Sequence, residues 1–255
     1  MKKKFNIWEG SYKSFEEIDR SVDISGFNVK RYRSQTIKNI FNALSNLKKN
    51  KPIDYFSKQR SIYLPILITL LITNSKKIKI LDFGGGLGIS YLSLIEKIPG
   101  IKNKIDYTII EIPTIVMEGK KIFKNKIKFI DKIPMKKKYD VVFSSSAIQY
   151  INNWKQTILK LINLQPKYLL FSDVFAGKIN TFATLQKYYN TFMPHWFFNE
   201  EYFLDLFYKN KYTLVFRDYV AVKRLEFIDE LPMENFPKKK RISRTLHLLF
   251  KRDLK

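Results

Sequence analysis

At 255 residues, with 45% hydrophobic and 15% aromatic content, the chain can bury one sizeable core, which excludes a disordered polypeptide and favours a single α/β domain with an extra segment. Cysteine is absent, so a disulfide framework, a thiolate zinc site and a cysteine nucleophile are excluded, and a cytoplasmic location is expected. The 47 basic residues outnumber 23 acidic ones to give a net charge of +24, but they fall in short clusters (Lys2 to Lys4, Lys48 to Lys51, Lys76-Lys77, Lys136 to Lys138, Lys238 to Arg241) in a sequence rich in Ile, Asn and Phe. That pattern fits compositional bias with solvated faces better than a dedicated polyanion site; peripheral contact with an anionic membrane stays open.

In chain order, Met1 to Lys4 is followed by Phe5 to Gly10 rather than an apolar stretch, so a secretion signal is not expected. Residues 1–58 read as a helical N-terminal cap segment without a strong strand pattern. Ser14 offers a helix cap before Glu16 and Glu17, and Tyr32 to Leu47 places Ile37, Ile40, Phe41, Leu44 and Leu47 on one helical face. A second helix is expected near Gln59 to Thr73. Its apolar stretch, Ile62 to Ile72, is shorter than the roughly 18 residues a membrane span needs, so it reads as a buried helix and no transmembrane segment is expected.

From Ile78 short apolar runs alternate with helical stretches across a domain of residues 59–255. Strands are expected at Ile78 to Phe83, Ile105 to Glu111, Ile127 to Ile130, Tyr139 to Ser144 and Tyr168 to Asp173, with helices at Gly88 to Ile98, Thr114 to Phe123 and Asn153 to Leu164. An aromatic-rich insertion, residues 174–198, should lid the site. A helix from Glu200 to Tyr208 with Asn199 as its cap, and strands at Tyr212 to Tyr219 and Ser243 to Lys251, complete a seven-stranded, mostly parallel sheet with helices on both faces.

The chemistry starts at Gly84-Gly85-Gly86-Leu87-Gly88, which follows a strand and opens a helix, so that backbone can approach a ligand closely. A dinucleotide fingerprint counted from Gly84 would need Gly or Ala at position 89, which is Ile89. Gly84, Gly86 and Gly88 give Gly-x-Gly-x-Gly instead, with Asp82 just ahead. Here the sequence resembles class I (Rossmann-like) methyltransferases, and the resemblance implies S-adenosyl-L-methionine as cofactor. It assigns Asp82 and the loop, Gly85 included, to the cofactor's amino-acid end. It assigns Glu111, 29 residues after Asp82, to the ribose hydroxyls, Asp131 to the adenine, and Ser144 and Ser145 to the cofactor side of the sheet edge.

A narrower likeness joins Trp8 to Tyr12, Ser14 to Glu17, Leu81 to Gly85, Ser144 to Tyr150 and Phe182 to Gln186. These resemble a bacterial methyltransferase family associated with surface-polysaccharide biosynthesis. Ser172-Asp173-Val174-Phe175 departs from its Arg-containing turn. The expected activity is O-methylation of a sugar or phosphoryl-linked precursor of a bacterial surface glycan, with Gln149, Gln186 and Trp196 toward the acceptor. His195 is the expected base, since an imidazole is largely neutral at cytoplasmic pH, with Tyr150 and Asp173 as rivals. His247, alternating within Thr245 to Phe250, reads as a structural strand residue. No cluster at metal-ligand spacing is visible. Two alternatives stand: an RNA or other nucleic-acid methyltransferase, disfavoured by the missing Asn/Asp-Pro-Pro-aromatic motif after the fourth strand, and a non-catalytic protein on the same fold.

Overall fold

The computed structural model describes residues 6–19, 21–28, 30–53, 62–72, 77–135, 137–221, 223–224, 227–228 and 230–253. Lys2 to Lys4, Lys76, Lys136 and the ends of the second expected helix, residues 59–61 and 73, lie outside them.

The chain opens with strand β1 (Trp8–Tyr12), then helices α1 (Lys30–Lys48) and α2 (Tyr63–Leu71). The segment expected to be helical thus also supplies a strand, and Ser14 makes no side-chain cap bond. Next come β2 (Ile78–Phe83), α3 (Ile89–Lys97), β3 (Ile105–Ile110), α4 (Pro113–Phe123), β4 (Lys128–Ile130), β5 (Val141–Ser145), α5 (Trp154–Ile162) and β6 (Tyr168–Val174). Two local signals set helix starts: Pro113 at the first turn of α4, where its missing N–H costs nothing, and left-handed Gly88 ahead of α3.

The insertion is not merely an aromatic-rich connection. It forms β7 (Ala176–Gly177), β8 (Phe182–Tyr188) and β9 (Thr191–Asn199). Helix α6 (Glu200–Tyr208) follows, and Asn199 caps it as expected, its side chain accepting from Tyr202 N at 2.7 Å. After β10 (Tyr212–Tyr219), a small hairpin of β11 (Lys223–Arg224) and β12 (Phe227–Ile228) precedes the last strand, β13 (Leu246–Arg252).

Seven strands form the main sheet in the order β10-β13-β6-β5-β2-β3-β4. The expectation of a mostly parallel sheet is corrected: it is mixed, with β2 to β6 paired in parallel and β13 antiparallel to both β6 and β10. Parallel neighbours need a crossover between them, whereas β10 returns to β13 through a loop region, which permits reversal.

Alternation along β2 feeds two cores. Ile78 and Ile80 pack with Ile40 and Ala43 of α1, Leu64 and Ile68 of α2, and Leu92 of α3; Leu81 and Phe83 pack with Ile158 of α5 and Phe203 and Phe207 of α6. A third cluster, with Trp8, Phe175, Phe182, Phe197 and Phe236, belongs to the second sheet, ordered β1-β8-β9-β7. There Trp8 stands opposite Gln186 and Tyr12 opposite Ala183, so two of the sequence motifs, 8–12 and 182–186, are partners across an antiparallel pair. Among the described residues no helix is long and apolar enough to cross a membrane.

Candidate functional site

A cavity of about 430 Å³ opens at the carboxyl ends of β2, β3, β4 and β5. This is the edge where open α/β sheets bind ligands, because the strand order reverses at β2, with β3 on one side and β5 on the other, and the loops diverge. Gly84, Glu111, Asp131, Ser146, Ala147 and Tyr150 line it, with Phe27 and Tyr32 brought over from the N-terminal segment.

The glycine turn is shaped by what surrounds it. Gly84 has φ +71°, and a Cβ there would lie 2.3 Å from the Ala147 Cβ, so both conformation and space require glycine. At Gly85 an added Cβ would lie 2.4 Å from Asp82 Oδ2, so the turn folds directly onto the carboxylate. At Gly86 such an atom would meet nothing within 4 Å.

Two acids hold this turn from different sides. Asp82 is 1% exposed and accepts a hydrogen bond from the Tyr107 hydroxyl at 2.7 Å, while its other oxygen has no hydrogen-bond partner in the protein. Burial pushes its carboxyl up to about 7, against the opposing Tyr107 bond and with the Glu111 charge adding to the rise. Glu111 follows the last residue of β3; Oε1 accepts from Gly86 N at 3.0 Å and Oε2 from Ile112 N at 2.9 Å. Its pKa is also raised, because burial outweighs those two backbone bonds.

The sequence-derived residues separate into three groups. Gly84, Glu111, Asp131 and Tyr150 line the cavity. Asp82, Gly85, Gly86 and Gly88 build the turn beside it, and Gln149 and Gln186 stand one contact further back. Gln149 is fully buried, its Nε2 donating to Ser146 Oγ at 3.1 Å, and the Tyr150 hydroxyl donates to Gln186 Oε1 at 2.9 Å. The rest lie outside the lining: Ser144 is buried within β5, with Ser145 next to it; Trp196 is buried and stacks on Phe15 at 4.8 Å; Asp173 is buried and accepts from Thr245 Oγ1 at 2.7 Å. At the sheet edge it is Ser146, with φ +53°, that reaches the cavity.

His195 is fully buried among rings, its centroid 5.3 Å from Tyr150, 4.5 Å from Phe175 and 5.9 Å from Trp8. It therefore backs Tyr150 rather than lining the cavity. His247 lies within β13, with Nδ1 3.0 Å from Ser172 Oγ, and burial pushes its imidazole down to about 4.

Sequence reading missed Phe27, Tyr32, Ile112, Pro113, Ala147 and Ile151 as lining residues. Phe27 and Tyr32 precede the glycine turn by more than fifty residues and carry no local mark of it. The segment is tied instead to the second sheet, where Phe192 N donates to Asp23 O at 2.9 Å.

The fold is that of S-adenosylmethionine-dependent methyltransferases of known structure. The chain is similar to the 1,6-didemethyltoxoflavin-N1-methyltransferase of Burkholderia thailandensis, solved with 1,6-didemethyltoxoflavin and S-adenosylhomocysteine, at 13% identity over 92% of this chain and 98% of that one, TM-score 0.52. It is also similar to a SAM-dependent methyltransferase of Methanosarcina mazei, at 10% identity over 73% and 98% of the two chains, TM-score 0.51. The cyclase SpnF shares the fold too, at 11% identity over 75% and 80%, TM-score 0.52. No protein-family model and no curated protein sequence matches the chain.

Proposed function

We propose that this chain is an S-adenosylmethionine-dependent methyltransferase acting on a small-molecule acceptor. One observation carries the reading: the Glu111 carboxylate meets the bare turn at Gly86 on the edge of the cavity, as a nucleoside with an amino-acid tail requires. The residues present fit that donor. Open space at Gly86 lets a ligand lie against backbone, Glu111 offers two oxygens to ribose hydroxyls, Asp131 lines the same cavity and suits the adenine contact the family likeness implies, and Asp82 has one carboxylate oxygen free of protein partners.

When bound, the donor supplies an electrophilic methyl on a sulfonium, taken by an acceptor lone pair while the electrons of the broken S–C bond stay on sulfur. The protein's own work is alignment and exclusion of water. Phe27, Tyr32, Tyr150 and Ile151 form the apolar side of the cavity that does this. Of the three side chains expected to be catalytic, Tyr150 is the one positioned to touch an acceptor, with His195 and Gln186 holding it from behind.

For the acceptor, the sequence points to a sugar or phosphoryl-linked glycan precursor on the family likeness and the aromatic-rich insertion. A fold shared with a cyclase supports a second reading, in which donor binding serves other chemistry. Calorimetry with S-adenosylmethionine and S-adenosylhomocysteine tests the donor, and labelled-methyl transfer to nucleotide sugars and RNA tests the reaction. Binding of both without transfer to any acceptor in cell extract would favour the second reading. Absence of heat with both would sink the first.

A further inference from the structure

Resting on the methyl-donor reading alone, and in place of the glycan acceptor that the family likeness suggests, we propose that the acceptor is a small, uncharged, flat heteroaromatic molecule held against Phe27, Tyr32 and Tyr150, and that phosphate-bearing acceptors are turned away. The first ground is charge. In a chain with net charge +24, no Lys or Arg is among the described residues lining the cavity, and its two charged side chains, Glu111 and Asp131, are acidic. A phosphate drawn in there would lose water with no cationic side chain among the described lining residues to replace it. Arg31, one residue before Tyr32, is exposed and stacks over the Tyr189 ring at 3.9 Å, outside the lining. Among the described residues, the basic side chains and the cavity lining are therefore separate.

The second ground is the wall itself. Phe27 meets Tyr32 edge-on at 4.9 Å and Tyr150 at 5.0 Å, and Tyr188 stands behind, 6.2 Å from Phe27 and 6.1 Å from Tyr32. The Tyr150 hydroxyl donates to Gln186 Oε1, and Phe27, Tyr32 and Tyr150 together bring three aromatic rings to the lining. Ring surface favours a planar, polarisable partner.

The third ground is size and base. A volume of about 430 Å³ is near the small end of the roughly 300–1,000 Å³ usual for ligand sites, so an acceptor that shares the cavity with the donor is small. No imidazole is among the described lining residues, and His195 lies behind Tyr150. A sugar hydroxyl needs a base to become nucleophilic, whereas a ring nitrogen already presents a lone pair. On transfer that pair forms the N–C bond, the S–C pair stays on sulfur, and any ring N–H proton leaves to solvent.

The test uses the full chain saturated with S-adenosylhomocysteine; if that ligand gives no heat, the donor reading fails and the acceptor proposal falls with it. With it bound, lumazine, hypoxanthine and indazole are titrated beside UDP-glucose and methyl glucoside. At least one of the three heteroaromatics is expected to bind about tenfold more tightly than either sugar. Phe27→Leu, which keeps bulk and removes the ring, should weaken that binding about tenfold in protein that still binds S-adenosylhomocysteine. Tighter binding of UDP-glucose or methyl glucoside, no binding of any heteroaromatic, or indifference to Phe27→Leu would overturn the proposal.

Discussion

Replacing Asp82 by Asn should change how the protein's stability depends on pH, because the site keeps a buried carboxyl that gains nothing from being charged. In the unfolded chain this group ionises near pH 3.9, whereas in the folded protein burial raises it to about 7. Between those values the folded state holds a proton that the unfolded state has released. Stability from this group is therefore fully present below pH 4 and is lost as pH rises through 7. Three pH units at 1.36 kcal/mol each make the loss about 4 kcal/mol. Asn keeps the shape and can accept from the Tyr107 hydroxyl, but it has no proton to lose. Its amide adds a buried donor that costs about 1–3 kcal/mol at every pH, a constant offset. Urea unfolding of both proteins at steps from pH 4 to 8 should show their stability difference shifting toward the variant by about 4 kcal/mol. A difference constant to within about 1 kcal/mol across that range would refute the account of Asp82 as a desolvated acid.

Glu111→Gln removes a second buried charge whose pKa burial has raised, but its amide can accept from only one of Gly86 N and Ile112 N, so the two effects oppose and stability at pH 8 should change by no more than about 1–3 kcal/mol. Affinity for S-adenosylhomocysteine should fall about 10- to 100-fold, the worth of one charged hydrogen bond, as read by calorimetry. Gly85→Ala places a methyl 2.4 Å from Asp82 Oδ2 and should cost about 1–3 kcal/mol, with the penalty much reduced in an Asp82→Ala background. Additive thermal shifts in that double variant would show that the contact is not the cause. His195→Ala should open a hole beside Tyr150, Phe175 and Trp8 and destabilise the protein by about 3 kcal/mol in scanning calorimetry, while the folded variant still binds S-adenosylhomocysteine. An unchanged melting temperature would contradict the packed role.

Much of the glycine-turn side of the cavity was legible because its information is local. The run Ile78 to Phe83, the turn at 84–88 and the acid at 111 each follow from strand-then-glycine or strand-then-acid order, and the structure joins them through one hydrogen bond from Gly86 N to Glu111. Asn199 ahead of Glu200 to Tyr208 was legible for the same reason, since a cap acts within one turn. The aromatic side of the cavity was not. Phe27 and Tyr32 are unremarkable in a lysine-rich helical segment, and only the anchoring of 21–28 on β9 brings them to the sheet edge.

Histidine shows the boundary well. Its rarity and its place in an aromatic stretch suggested a base at 195, but alternation along β9, unread in the sequence, turns that side chain into the core of the second sheet.

Residue order alone determined the alternation of strands and helices, the glycine turn and the two carboxylates, because period and neighbour identity act over a few positions. Tertiary structure decided that Trp8 to Tyr12 extends to a sheet partner at 182–188, that β13 runs against its neighbours, and that no Lys or Arg is among the described residues lining the cavity. Those outcomes depend on which distant surfaces are buried together, and burial is a property of the packed chain rather than of any stretch of it.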